Sequence, residues 1–275
     1  MNLGLHCSIR GGHLGALQEA DRLGLTSMQI FAYRRHEEPL EGELQAFRQA
    51  REKSRVKRLL VHARYVPFLA SRDPKRHEHS ARLLARELKL SHSLGAEGLV
   101  VHAGAYSPED DGPRGLARAA EGVLRAWGAA AARVPIILEN VPGGGRRMGG
   151  SLEELADLGG LLLGRGVDVR YCLDTAHAWA YGYDIASAEG MWKFLGRANR
   201  LLGKDMVTAF HLNDTRAIFG SHREHHWHWG QGHLGTDGLK TLLGRPEFTD
   251  AAGILETPRG ERDRPNLELV RSLTG

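Results

Sequence analysis

The chain has 275 residues, 41% of them hydrophobic, which is enough to bury a large core in one domain, since α/β barrels run to about 250 residues as a single unit. Its 37 basic and 33 acidic residues leave a formal charge of only +4, so the sum leans toward an anionic partner and the placement of charge must decide the matter. Two cysteines, Cys7 and Cys172, are too few for a disulfide framework, no apolar run approaches the ~18 residues of a membrane span, and MNLGLHCSIRGG lacks a basic stretch followed by an apolar one, so a cytoplasmic protein with buried thiols is expected.

Short apolar runs alternate with longer helical patterns along the whole length. The runs are LGLHCS (3–8), SMQIFAY (27–33), RLLVHARY (58–65), GLVVHAG (98–104), PIILEN (135–140), VRYCLDTAH (169–177), MVTAFHLND (206–214) and GILETP (253–258). Between them, 78–94 places Leu83, Leu84, Leu88, Leu90 and Leu94 on one broad helical face, and 152–163 follows the capping-box pattern of Ser151 and Glu154. Eight β-then-α repeats predict a closed (β/α)8 TIM barrel, one domain over 1–275 with its site at the C-terminal rim of the strands. Only 212–235 lacks regular patterning, and this long loop is crowded with histidine and arginine.

Fifteen histidines are the loudest feature of the composition. From the third strand to the eighth, each apolar run ends on a side chain able to bind metal: His62, His102, Glu139, Asp174, His211 and Glu256. One strand-end histidine or glutamate is ordinarily a hydrogen-bonded structural residue, but six on one barrel rim require a common cause, and metal coordination supplies it. Mixed imidazole and carboxylate donors suit zinc or manganese better than calcium or magnesium. His177, three residues after Asp174, and Glu224 and His226 in the long loop add a further group. Nine donors exceed the four that one zinc typically takes, so two or three ions are implied.

The segments DTAHAWAYGYD (174–184), HLNDTRAIFGS (211–221), GQGHLG (230–235) and LETP (255–258) resemble the endonuclease IV family of apurinic/apyrimidinic endonucleases, in order and over essentially the whole chain. The resemblance implies a barrel with three metal ions, zinc or partly manganese, that hydrolyses the phosphodiester 5′ to an abasic site in double-stranded DNA and leaves a 3′-hydroxyl. It implies that His62, His102 and Glu139 hold one ion. Glu139 bridges to a second, also held by Asp174, His211 and Glu256, while His177, Glu224 and His226 hold the third. The catalytic work then centres on Glu139 and Glu256, because a hydroxide between two ions is a nucleophile at neutral pH and needs no side-chain nucleophile. A monomer is expected.

Loops on the same rim carry Arg34, Arg35, Arg64, Arg146, Arg147, Arg216, Arg223 and Arg259, a plausible ring for tracking phosphates. Tyr65 and Trp227 or Trp229 are either stacking groups beside an unstacked nucleotide or loop packing, and His6 reads as a hydrogen bonder behind the ligands. The family pattern is broken in places. The loop after strand two, FAYRRHEEPL (31–40), is shorter; VPGGG (141–145) and Gly230–Gln231–Gly232 differ in sequence; and Glu224 stands where the family has aspartate.

Two other functions fit parts of this pattern. A sugar isomerase or epimerase on a related barrel needs only Glu139, Asp174, His211 and Glu256 around one ion, and gives no reason for the four other histidines. A non-catalytic lesion binder would have lost ligands.

Overall fold

The computed structural model describes residues 1–34, 37–64, 68–108, 110 and 112–274. Its elements follow the alternation of the sequence: β1 (Asn2–His6), α1 (Gly12–Arg22), β2 (Ser27–Phe31), α2 (Glu41–Arg51), β3 (Arg58–His62), α3 (Pro74–Ser93), β4 (Gly98–His102), α4 (Gly112–Ala130), β5 (Ile136–Glu139) and α5 (Leu152–Leu163). The second half runs β6 (Val169–Asp174), α6 (Thr175–Tyr181), α7 (Ala188–Leu202), β7 (Val207–His211), β8 (Asp214–Thr215), β9 (His226–Trp227), α8 (Asp237–Leu243), a 3-10 turn (Pro246–Phe248), β10 (Ala252–Leu255) and α9 (Asp263–Ser272). Eight parallel strands close in the order β1, β2, β3, β4, β5, β6, β7, β10 and back to β1.

Strand periodicity explains both the core and the site. Successive side chains point to opposite faces, so residues two apart share one. Leu59, Val61, Leu99, Val101, Ile136, Leu138, Leu173, Phe210 and Leu255 turn outward and are buried under the helices. Leu60, Val100, Ile137, Cys172, Ala209 and Ile254 turn inward and form a separate apolar layer inside the barrel. Each fully buried leucine or isoleucine contributes about 2 kcal/mol through removal from water. Two residues farther along the same strands stand His62, His102, Glu139, Asp174, His211 and Glu256.

One irregularity is needed for this. Tyr171 pairs with Val207 but Cys172 pairs with Ala209, so β7 carries an extra residue, Thr208, opposite β6. Without that bulge Asp174 would face Phe210, whereas with it Asp174 pairs with His211. His102 and Glu139 are likewise in register on β4 and β5.

The helical expectations hold with one change. The predicted helix at 78–94 is α3, started by Pro74 and by Asp73, whose carboxylate accepts the Lys75 amide. Ser151 caps α5 by accepting the Glu154 amide at 3.1 Å. The Glu154 carboxylate, however, binds the amides of Gly149 and Gly150 and the Tyr106 hydroxyl, so the capping box is only half formed.

Candidate metal centre

Glu139 sits at the middle of the rim, fully buried. Its Oε2 lies 3.0 Å from Nε2 of His62 and 3.0 Å from Nε2 of His102. Its Oε1 lies 2.9 Å from Nδ1 of His211 and 3.4 Å from Nδ1 of His177. His211 Nδ1 is also 3.2 Å from Glu256 Oε2 and 3.7 Å from Asp174 Oδ2. Four donor groups result among the described residues: His62, Glu139 and His211; His102, Glu139 and His177; Asp174, His177 and His226; and Glu139, Asp174, His211 and Glu256.

The long loop delivers the last donors. The pairing of β8 with β9, which sequence patterning did not reveal, folds the segment back over the barrel mouth. The Asp214 carboxylate ties the return by accepting the amides of Thr215, Gly232 and Leu234. A Cβ at Gly232 would run into Asp214 and the Thr215 carbonyl, so only glycine allows this approach. His226, on β9, thereby comes to 3.3 Å from His177, Nε2 to Nε2, and to 3.5 Å from Asp174 Oδ2. Glu224 reaches 3.7 Å from His177 Nε2 and stays half exposed.

The hydrogen bonds behind the donors suit metal ligation. His62 Nδ1 is 2.9 Å from the Ala63 carbonyl, His177 Nδ1 is 2.9 Å from the Asn140 carbonyl, and His211 Nε2 is 3.0 Å from Gln29 Oε1. A neutral imidazole donating at one nitrogen turns a lone pair outward at the other, here into the centre. The carboxylates are held as well. Asn213 donates to Asp174 Oδ2 at 2.7 Å and accepts the Glu256 amide at 2.8 Å, while Asp174 Oδ1 caps α6 by accepting the His177 amide. Gly182 ends α6 in the left-handed region, at φ 118°, which turns the chain sharply after the DTAHAWAY run.

Protonation preferences are tuned by the same contacts. Burial opposes charge on His177 and His211, yet Asp174, Glu139 and Glu224 around the first, and Cys172, Glu139 and Glu256 around the second, push both well above the ordinary imidazole range. Burial also opposes charge on Glu139 and Glu256, but the facing histidines, His211 foremost, hold both well below the usual carboxylate range. The His177 contact pulls Glu224 down to about 2. Without ions, protons on imidazoles balance the carboxylates, and cations entering the site would take their place.

Gln29 and His6 complete the ring. Gln29 was missed in the sequence because it is an uncharged residue inside the apolar run SMQIF, yet it stands at the inward position of β2. Its Nε2 donates to Glu256 Oε1 at 2.7 Å. His6, at the end of β1, lies 3.0 Å from the same oxygen through Nδ1. Every barrel strand thus contributes a polar side chain to one layer.

A cavity of about 430 Å³ opens above the donors, with Arg64, Phe31 and Arg259 in its wall. The Arg64 guanidinium stacks 4.4 Å from the Phe31 ring centre and donates to the Tyr33 carbonyl. Arg259 is tied down by Glu19, Asp263 and the His6 carbonyl. Arg146, Arg147 and Arg223 are exposed, with Arg147 donating to the carbonyls of Gly143 and His222. Arg34 pairs with Glu37 at 3.3 Å. Arg35 and Tyr65 lie outside the described residues. Of the candidate wedges, Trp229 is core: it is buried and donates to the Leu212 carbonyl. Trp227 lies beneath the Arg216 guanidinium, 3.6 Å from its ring centre.

A closed barrel with a multi-donor rim defines the class, and the family model for the xylose isomerase-like TIM barrel matches residues 17–273. The chain is 39% identical to "Endonuclease 4" of Thermus thermophilus, over 98% of this chain and 97% of the relative. It superposes on a crystal structure of endonuclease IV, also from Thermus thermophilus, with a TM-score of 0.87 at 36% identity, covering 99% of this chain and 98% of that one. Within the barrel class, the chain belongs to the endonuclease IV family. A D-psicose 3-epimerase structure covers 100% of both chains with a TM-score of 0.69 but only 16% identity, a likeness of fold alone.

Proposed function

We propose that this protein is an apurinic/apyrimidinic endonuclease that hydrolyses the phosphodiester 5′ to an abasic site in double-stranded DNA and leaves a 3′-hydroxyl, acting as a monomeric barrel over 1–275. The observation that carries this reading is the sharing of Glu139 among the donor groups, because a carboxylate with imidazoles facing both oxygens is suited to bridge ions. His62 and His102 would hold one ion with Glu139. Asp174, His211 and Glu256 would hold a second with Glu139, and His177, Glu224 and His226 a third. The mixed donors favour zinc, with manganese as a partial substitute.

When bound, the ions would supply an ionised water at neutral pH and positive charge for the attacked phosphate and the leaving oxygen. The chain's own residues prepare that chemistry. Asn140, Asn213 and Gln29 lock the donors in place, so little reorganisation remains at the moment of reaction. The apolar layer of Leu60, Val100, Ile137, Cys172, Ala209 and Ile254 beneath the donors closes the floor to water. Arg64, in the cavity wall, would face the substrate backbone, and the exposed Arg146, Arg147 and Arg223 would engage phosphates farther along it. Arg34 extends the same surface from the neighbouring loop, and Arg35 and Tyr65 are proposed as DNA contacts on the sequence alone.

The isomerase reading leaves His62, His102, His177 and His226 without a role, although all four face the centre. Stripping the protein with a chelator and restoring it with zinc or manganese tests the proposal: incision of abasic duplex should vanish and return. Full incision by the stripped protein would refute it.

A further inference from the structure

Gln29 touches two donors of the proposed centre without being one itself. Its side chain is fully buried on β2. The amide Oε1 faces His211 Nε2 at 3.0 Å, and the amide nitrogen donates to Glu256 Oε1 at 2.7 Å and lies 3.0 Å from His6 Nδ1. The orientation of this amide is fixed by charge. Reversing it would set the Gln29 carbonyl against the Glu256 carboxylate, acceptor on acceptor at hydrogen-bond distance. Glu256 therefore orders the amide, and the ordered amide can only accept from His211.

We propose that Gln29 is a positioning residue for the ion bounded by Glu139, Asp174, His211 and Glu256: one amide turns His211 Nδ1 and Glu256 Oε2 inward together. His211 Nδ1 then stands 2.9 Å from Glu139 Oε1, 3.2 Å from Glu256 Oε2 and 3.7 Å from Asp174 Oδ2. A lone pair among three carboxylates is a repulsive arrangement that a cation relieves, so the amide holds a geometry that is favourable when the ion is present. This inference rests on the metal-centre reading above.

The test uses the full chain loaded with zinc, with the zinc then drawn off by a chromogenic chelator, for the parent, Gln29→Met and Gln29→Glu. One equivalent should be held about 10- to 100-fold more weakly in both variants, with the other equivalents as in the parent. On abasic duplex, kcat should fall and KM should stay. Gln29→Glu adds a readout that packing alone would not move: its deficit should shrink as acid protonates the introduced carboxyl, which then donates to Glu256. If Gln29→Met fails to fold, this pH response decides. Variants that keep every equivalent as tightly as the parent, or lose all equivalents alike with a lowered melting temperature, overturn the positioning role. A parent that takes up no zinc overturns the metal-centre reading itself, and this role with it.

Discussion

The Nε2 atoms of His177 and His226 face each other across 3.3 Å, one from the start of α6 and the other from the folded-back loop. His177 spends its Nδ1 on the Asn140 carbonyl, so its Nε2 offers a lone pair, and His226 can complement it only through a proton or a shared cation. Glu224 approaches the same point. Glu224→Ala should therefore lose one metal equivalent and most incision activity, while Glu224→Asp keeps both. Glu224 lines the cavity together with His177 and His226, whereas His222 packs against Tyr181 with its Nδ1 2.9 Å from the Pro142 carbonyl. Metal counting on Glu224→Ala, His222→Ala and His225→Ala checks this: an intact metal content in the first with a loss in either of the others would move the ligand.

Glu139→Gln should abolish turnover while the barrel still unfolds cooperatively. The substitution keeps the shape of the side chain but removes the charge that both pairs of imidazoles face, and the packed strands do not depend on it. Incision kinetics beside thermal melting make the comparison. Wild-type incision by this variant would remove the bridging role.

Much of the rim was legible because strand ends and a period of two are visible in sequence. Six donors fell at the ends of six apolar runs, and each proved to stand two residues beyond an inward apolar one. His6 was legible in the same way at the end of the first run, but Gln29 was not, because it is uncharged, lies inside its run and stands two residues after Ser27 rather than after an apolar residue. Other features left no local signal. The bulge at Thr208 is a matter of pairing between strands, and the β8–β9 pair is two residues long on each side. Arginine on a rim looks the same in sequence whether free or pinned, and only the fold shows that Glu19 and Asp263 hold Arg259. Trp229, legible as wedge or packing, is resolved by its burial.

That difference among the aromatic and basic residues can be measured. Arg64→Ala and Arg147→Ala should each weaken DNA binding more than chemistry and reduce the slope of log affinity against log salt by about one unit. Trp229→Ala should leave that slope alone and destabilise the fold by about 3–5 kcal/mol, the usual cost of emptying a buried tryptophan site. Binding titrations at several salt concentrations, beside denaturant melts, test both. Unchanged slopes for the two arginine variants would return them to solvated surface charge.

Metal and proton compete for the same imidazoles, which fixes the direction of the pH response. His177 and His211 are raised above 6.5, so in the metal-free protein their contribution to stability is complete below that pH and is lost as pH rises through their folded values. Glu139 and Glu256 are lowered below 4.5, so their contribution is present above that pH and is lost as pH falls through their folded values. The metal-free protein should melt highest between these limits. Zinc binds the deprotonated donors, so the gap in melting temperature between loaded and metal-free protein should widen from pH 6 to pH 8. A gap that narrows over that range would contradict the exchange of protons for ions.

The most direct measurement counts metal and product in one sample: the protein is purified, its ions are quantified, and the same preparation is given duplex DNA with a single abasic site. About three ions per chain are expected, mainly zinc at the typical few donors per ion, with a nick 5′ to the lesion ending in a 3′-hydroxyl. One ion per chain, no nick, and turnover of a ketose would contradict that expectation.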